Sequence, residues 1–438
     1  MVSIDVRRVR NHSQMRARLL TLVLLCPFVP TGSKSVVCQT RRANNIKKGG
    51  PGLREPRIKP LEEKDWTPVE RELLSPIKAE RGSVPNIYKT IARHPKLFTP
   101  RLNFGRYIQR ESTLPARDRE ILICRTAWLS DVDYEWSAHS RIALENGLTK
   151  EDIKSIATGS RAPGWTPFDS TLVRAAEELH TNILISDETW SALSKRYNTH
   201  QLMDLVMTVG GYHMLATALR SFGVQLEPGT TCIPPESTHK RGSRPTGKEG
   251  IPIRLKSPRI EPVSESAWSD EERELLQSIK QQRGYVLNVY ATLARHPAMY
   301  RPWLGFARYI LRDSSLPARE REMLICRIAW VTSGEYEWSA HVRLGKEAGL
   351  KDEEIDRLAR GPDTEVWGPG DAVLLRAVDE LHYDAIISDA TWNMLAKRFD
   401  THQMMDIVFT VGAYKMLAMA LNSFGTQLDR DMSGFPKR

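Results

Sequence analysis

The segment Glu135-Trp-Ser-Ala-His139 occurs again, unchanged, as Glu337-Trp-Ser-Ala-His341. Residues four apart on a helix share a face, so each glutamate stands beside its histidine. A third acid, Glu120 in the first segment and Glu322 in the second, lies near the start of the preceding predicted helix. A short turn at Ser130 to Asp133 would fold that acid back toward the same spot. Two carboxylates and one imidazole, partly removed from water, take different proton affinities and can divide the roles of acid and base near neutral pH. The competing reading is bland: an exposed helical ion pair, with Glu120 favouring only its own helix start.

The elements that must position these groups are duplicated with them. A constant offset of 202 residues runs without a gap from Trp66/Trp268 to Leu226/Leu428, and 89 of the 161 paired positions are identical. One domain is therefore written twice. Apolar residues recur at helical spacing, as in Ile121, Leu122, Trp128 and Leu129, and strand-like alternation is missing, so both units are expected to be all-α. Punctuation predicts seven or eight helices in each: Pro115 and Pro317 at helix starts, Gly147 and Gly349 as C-terminal caps, Ser186 and Ser388 as N-caps. Thr199 to Phe222 is the most apolar helix, expected in the core, with Gly210 allowing a neighbour close approach. The expected organisation is a leader (1–60), a first domain (61–228), a flexible linker rich in Pro, Gly, Ser and Lys/Arg (229–262) and a second domain (263–430).

Charge gives little. Of the formal +10, residues 1–50 supply +9, from ten Lys/Arg against Asp5, so the folded part is nearly neutral and does not advertise a nucleic-acid partner. The apolar run Leu19 to Val29 is too short to span a bilayer. The leader reads as a disordered or wrongly assigned start of a cytoplasmic protein, and its basic surroundings fit a secretory signal or a mitochondrial transit peptide as the alternatives. The five cysteines are odd in number, form no CxxC pair and lean toward a reducing compartment. One histidine four residues from its glutamate does not match the spacing of helical di-iron sites or a facial triad, so no metal is expected. His94, His296, His200 and His402 read as helix-boundary residues, and His213 is replaced by Lys415 in the second copy.

Leu114-Pro-Ala-Arg-Asp-Arg-Glu120, Tyr134-Glu135-Trp136-Ser-Ala-His139 and Thr208-Val-Gly-Gly-Tyr212 together resemble the carboxymuconolactone decarboxylase family, within the alkylhydroperoxidase D-like superfamily. The resemblance covers nearly all of each repeat. It implies a compact helical fold that assembles into oligomers, here as an internal pseudo-dimer and a possible homo-oligomer. It also implies a small-molecule substrate and chemistry without metal or organic cofactor. The peroxidase branch of that superfamily carries two cysteines seven and four residues before the histidine, where this chain has Val132 and Glu135, or Gly334 and Glu337. The glutamate matches the decarboxylase branch. His139 and His341 are then the expected proton donors, Glu135 and Glu337 their partners, and Glu120 and Glu322 second acids in the relay, acting on a small lactone or enolisable carboxylic acid. Tyr134, Trp136, Tyr336 and Trp338 are expected pocket walls, and Arg125 and Arg327 expected counter-charges for a substrate anion, with Arg141/Arg343 and Arg106/Arg308 as further candidates. Tyr212 and Tyr414 are weaker ones. Cys124 and Cys326 are expected to pack as buried residues. A peroxidase or disulfide reductase, and a non-catalytic helical scaffold, are the alternative functions.

Overall fold

The computed structural model describes residues 53–230 and 255–436. The first repeat contains α1 (Pro68–Arg81), α2 (Asn86–Ile91), α3 (Pro95–Arg106), α4 (Ala116–Leu129), α5 (Asp133–Glu145), α6 (Lys150–Thr158), α7 (Pro167–Asn182), α8 (Asp187–Ser194) and α9 (Thr199–Phe222). The second repeats them as α10 (Asp270–Arg283), α11 (Asn288–Leu293), α12 (Pro297–Arg308), α13 (Ala318–Val331), α14 (Glu335–Glu347), α15 (Asp352–Leu358), α16 (Pro369–Tyr383), α17 (Asp389–Leu395) and α18 (Thr401–Phe424). No strand occurs among the described residues, and the fold is all-α as expected. Each repeat has nine helices rather than seven or eight; the six-residue α2 and α11 are too short to leave a periodic signature.

Local chemistry explains the boundaries. Ser186 and Ser388 accept a hydrogen bond from the backbone N–H three residues on, capping α8 and α17. Gly147 and Gly349 take φ of 87° and 100° just beyond α5 and α14, a conformation that carries no penalty only for glycine.

Chain just before the expected domain edges at 61 and 263 also packs on the repeats. The Arg57 and Ile58 backbone N–H groups donate to the Phe222 carbonyl, and those of Arg259 and Ile260 to Phe424, with both isoleucines buried. These extended segments belong to the folded repeats because their apolar side chains complete the core. The expected leader run Leu19 to Val29 and most of the expected linker lie outside the described residues.

Helices α9 and α18 are the spine. Both are long and apolar enough to cross a membrane, yet the share of each apolar stretch buried by protein is 100% and 94%. They cross each other at glycines. A Cβ on Gly210 would lie 2.5 Å from Met416 Cγ and 3.1 Å from its Cα, and one on Gly412 would meet Met214 at 2.6 and 3.1 Å. Residue i of one repeat meets j of the other, and j meets i, as in a two-fold dimer.

Polar clamps repeat that symmetry. Arg57 donates to the carbonyl of Ile387 and to Asp389, and Arg259 donates to Ile185 and Asp187. His296 Nε2 lies 2.9 Å from the Tyr107 hydroxyl and 3.2 Å from Asp204; His94 Nε2 lies 2.8 Å from Tyr309 and 3.3 Å from Asp406. These histidines, expected only to mark helix boundaries, are buried and join the repeats.

Candidate active site

Helix α5 folds back along α4 because the intervening turn is tight: Val132 N–H donates to Ala127, and Asp131 takes the left-handed conformation, φ 55°. His139 thereby meets Glu120, nineteen residues earlier, with Nδ1 2.7 Å from Oε2. The second repeat reproduces the contact at 2.7 Å between His341 and Glu322. All four side chains are buried. The ring of Tyr212 stands edge-on to His139 at 4.9 Å, and Tyr414 to His341 at 4.8 Å. Tyr212 and Tyr414, the weaker candidates in the sequence, are thus in contact with the imidazoles.

Electrostatics follow from this burial. For His139, desolvation opposes protonation, but the charge and hydrogen bond of Glu120, with Glu135 behind, hold the imidazolium above the usual histidine range. Burial pushes Glu135 upward against the pull of His139 and Arg101. For Glu322 burial also pushes upward, yet the bond and charge of His341 and the nearby Arg321 leave it below the ordinary carboxylate range. Nδ1–H of His341 therefore donates to an ionised carboxylate, which fixes the tautomer and leaves Nε2 for a bound molecule.

The third acid separates the two repeats. Glu135 reaches across to His139, Oε2 to Nε2 3.4 Å, so both ring nitrogens face acids. Glu337 does not: neither of its carboxyl oxygens has a hydrogen-bond partner, and burial raises its pKa to about 8. Glycine at 334 permits this. A Cβ there would lie 2.7 Å from Glu337 Oε2, and the first repeat has Val132 at that place.

The cavities differ accordingly. In the second repeat, about 370 Å³ is enclosed by largely apolar residues with Tyr300, Trp303, Glu337, His341 and Tyr414 in its wall. In the first, about 230 Å³ is lined by Tyr88, Arg101, Gln109 and Tyr212, without Glu135 or His139. Arg101 occupies the place of Trp303, and Gly105, where the second repeat has Ala307, makes room for it: a Cβ would lie 2.7 Å from the Arg101 Nη1. Arg101 and Tyr300 are not among the residues expected from the sequence, because those expectations follow positions that the repeats share. The signal was the reverse, an arginine facing a tryptophan and a phenylalanine facing a tyrosine within one duplicated helix.

Both segments match the model of the carboxymuconolactone decarboxylase family, over residues 95–178 and 297–380. Each repeat is thus a carboxymuconolactone decarboxylase-like domain. Solved structures similar to the chain include two proteins described as peroxidase-related. One, from Ralstonia eutropha JMP134, is an alkylhydroperoxidase AhpD core (19% identity, TM-score 0.37, covering 40% of this chain and 93% of that one). The other is from Silicibacter sp. TM1040 (17%, 0.35, 42% and 96%). A third is a cysteine-to-alanine variant of the debrominase Bmp8 in complex with 2,3,4-tribromopyrrole (15%, 0.33, 39% and 91%). A search of curated proteins gave no match.

Within these domains the remaining expected site residues scatter. Arg125 donates to the carbonyls of Ile156 and Ala157 and to Glu177, and Arg327 to Leu358, Ala359 and Asp379. Both close the carboxyl ends of α6 and α15 and line neither cavity, so they are not placed to balance a substrate's charge. Trp136 and Trp338 pack on Trp128 and Trp330 at 5.1 Å, behind the site rather than in its wall. Tyr134 binds Glu227 and stays out of its cavity, whereas Tyr336, bound to Asp429, lines the second. Arg141 and Arg343 are exposed and paired four residues on, and Arg106 pairs with Glu111. Cys124 and Cys326 are buried and unpaired, and burial pushes both thiols far above their usual range. Among the described residues no group of His, Cys, Asp and Glu has the arrangement of a metal site.

Proposed function

We propose that the chain is a carbon–carbon lyase-like enzyme that works by general acid–base proton transfer on a small lactone or enolisable carboxylic acid, with its working centre in the second repeat. One observation carries the reading: a buried imidazole held by Glu322 at 2.7 Å shares a cavity of about 370 Å³ with a buried carboxyl group that has no hydrogen-bond partner and whose pKa burial raises to about 8. A neutral Glu337 donates a hydrogen bond to a substrate oxygen as negative charge develops there. His341 Nε2 exchanges the proton with the adjacent carbon, and Glu322 stabilises the imidazolium that forms. In a decarboxylation the step starts from the imidazolium form of His341, paired with Glu322: the carbon–carboxylate bond breaks, its electron pair enters the neighbouring carbonyl as an enolate, carbon dioxide leaves, and Nε2–H gives its proton to the carbon, leaving the neutral imidazole. Solvent then returns that proton to the imidazole. Glu120, Glu135 and His139 form the corresponding cluster of the first repeat, with Glu135 closing the nitrogen that His341 leaves open.

The test is carbon–hydrogen exchange in deuterated buffer across a panel of γ-lactones and 3-oxo acids, read by mass spectrometry. His341→Ala is expected to slow exchange by about 10²–10⁴-fold, and His139→Ala by far less. Unchanged exchange in His341→Ala would overturn the reading. A thiol peroxidase is disfavoured by the buried, protonated state of Cys124 and Cys326.

A further inference from the structure

The two cavities differ in the charge of the groups that they leave without partners. In the second repeat, the Tyr300 hydroxyl and both Glu337 oxygens are buried and make no hydrogen bond, and both residues line the cavity. The first repeat has Phe98 in place of Tyr300, so its corresponding wall lacks that hydroxyl. The cations around the second cavity, Arg343 and Lys346, stand at its rim, half exposed and paired with Glu347 and Asp352. Asp431, also at the rim, accepts from Tyr285. An anion brought inside would lose its water beside Glu337 and gain no buried cation, a large unfavourable term.

The first repeat shows the opposite pattern. Arg101 is only 7% exposed, lines the cavity and has an Nε without a hydrogen-bond partner. Glu135 acts on it through charge but lies beyond ion-pair distance. The rim arginines Arg106 and Arg110 already pair with Glu111 and Glu80. A buried guanidinium with unfilled hydrogen-bonding capacity is a costly feature unless an anionic group completes it.

We propose that the cavities are sorted by ligand charge. The second takes an uncharged, mostly apolar ring compound carrying one carbonyl or hydroxyl, which Tyr300 and Glu337 meet, and the first takes a small carboxylate-bearing ligand through Arg101. For turnover this rests on the acid–base reading of the second site and narrows it to the uncharged lactones, so that proton exchange rather than decarboxylation is the reaction there; for binding it does not. The volumes, about 370 and 230 Å³, suit molecules of one or two fused rings, at and below the small end of the roughly 300–1,000 Å³ of drug-sized pockets.

A matched pair of probes tests it on the full chain: 2-acetonaphthone, neutral, and 2-naphthoate, its anionic counterpart, titrated by calorimetry. The ketone is expected to bind one site. That site is weakened at least tenfold by Trp303→Arg with Ala307→Gly, which writes the first repeat's residues into the second, and about threefold to tenfold by Tyr300→Phe. Naphthoate is expected to bind one site, lost in Arg101→Gln and untouched by Tyr300→Phe. Tyr300→Phe and Arg101→Gln are the milder changes that keep the test valid if the double variant does not fold by circular dichroism. Naphthoate binding that survives Arg101→Gln, or a ketone that binds no tighter than naphthoate in the second site, would overturn the proposal. His341→Ala separates the two readings: ketone binding retained with exchange lost supports both, whereas binding with the expected charge pattern but exchange unaffected leaves the sorting intact and removes the acid–base role.

Discussion

Glu337 carries a proton in the folded chain over a range of pH where an unfolded chain has already released it. Its ordinary value is 4.5 and burial raises it to about 8. Between those values the folded state binds the extra proton, so this group's contribution to stability falls as pH rises through the window. Glu337→Gln is therefore expected to leave the melting temperature nearly unchanged at pH 5 and to raise it by several degrees at pH 9, measured by differential scanning calorimetry. An equal shift at both pH values would mean that the carboxyl titrates normally. The same group sets a catalytic limit: exchange in the second site should decline above about pH 8, and Glu337→Gln should remove that decline while lowering the plateau. Much of this site's geometry is legible in the sequence. The four-residue spacing of Glu135 and His139 and the placement of Glu120 follow from helical geometry alone. The different orientations of Glu135 and Glu337 did not, because they depend on one missing Cβ at Gly334, a packing effect with no periodic signature.

At the scale of elements, α9 and α18 cross in close contact at their glycines. Gly210→Ala would set a methyl 3.1 Å from Met416 Cα and closer still to its side chain, so the helices must separate. A loss of about 1–3 kcal/mol is expected in urea unfolding, the usual cost of overpacking a well-filled core. Gly105→Ala, by contrast, meets the flexible end of Arg101 and should mainly displace that guanidinium. Gly210 was readable as a close-approach residue because glycine inside the most apolar helix costs about 1 kcal/mol relative to alanine and needs a packing reason. The task of Arg125 and Arg327 was not readable. A charged residue on an apolar helix looks available for a ligand until the carbonyl ends of α6 and α15 are seen to require donors. His94 and His296 misled for a related reason: their local context, a following proline, describes the helix start and says nothing of the other repeat.

Across the whole molecule, the two repeats bury their most apolar helices against each other, and a repeat expressed alone would expose that surface. Residues 53–230 by themselves are expected to dimerise or aggregate rather than remain monomeric, which size-exclusion chromatography with light scattering would reveal. Where the two halves meet, His213 lies 2.9 Å from His180 and 3.5 Å from Lys415, whose ammonium also donates to the His382 carbonyl. No carboxylate is among these partners, and burial lowers Lys415 to about 7 from 10.5. The unfolded chain binds the proton up to the higher value, so this residue's penalty shrinks as pH rises from 7 toward 10.5, opposite in sign to Glu337. Lys415→Met should accordingly stabilise most at pH 6 and least at pH 10. In a true homodimer a lysine so close to the symmetry axis would face its own copy, doubling the charge in a dry interior. Covalent fusion releases the chain from that constraint: a change near the axis is inherited by one half only, and each half can be altered without the other having to tolerate the same change.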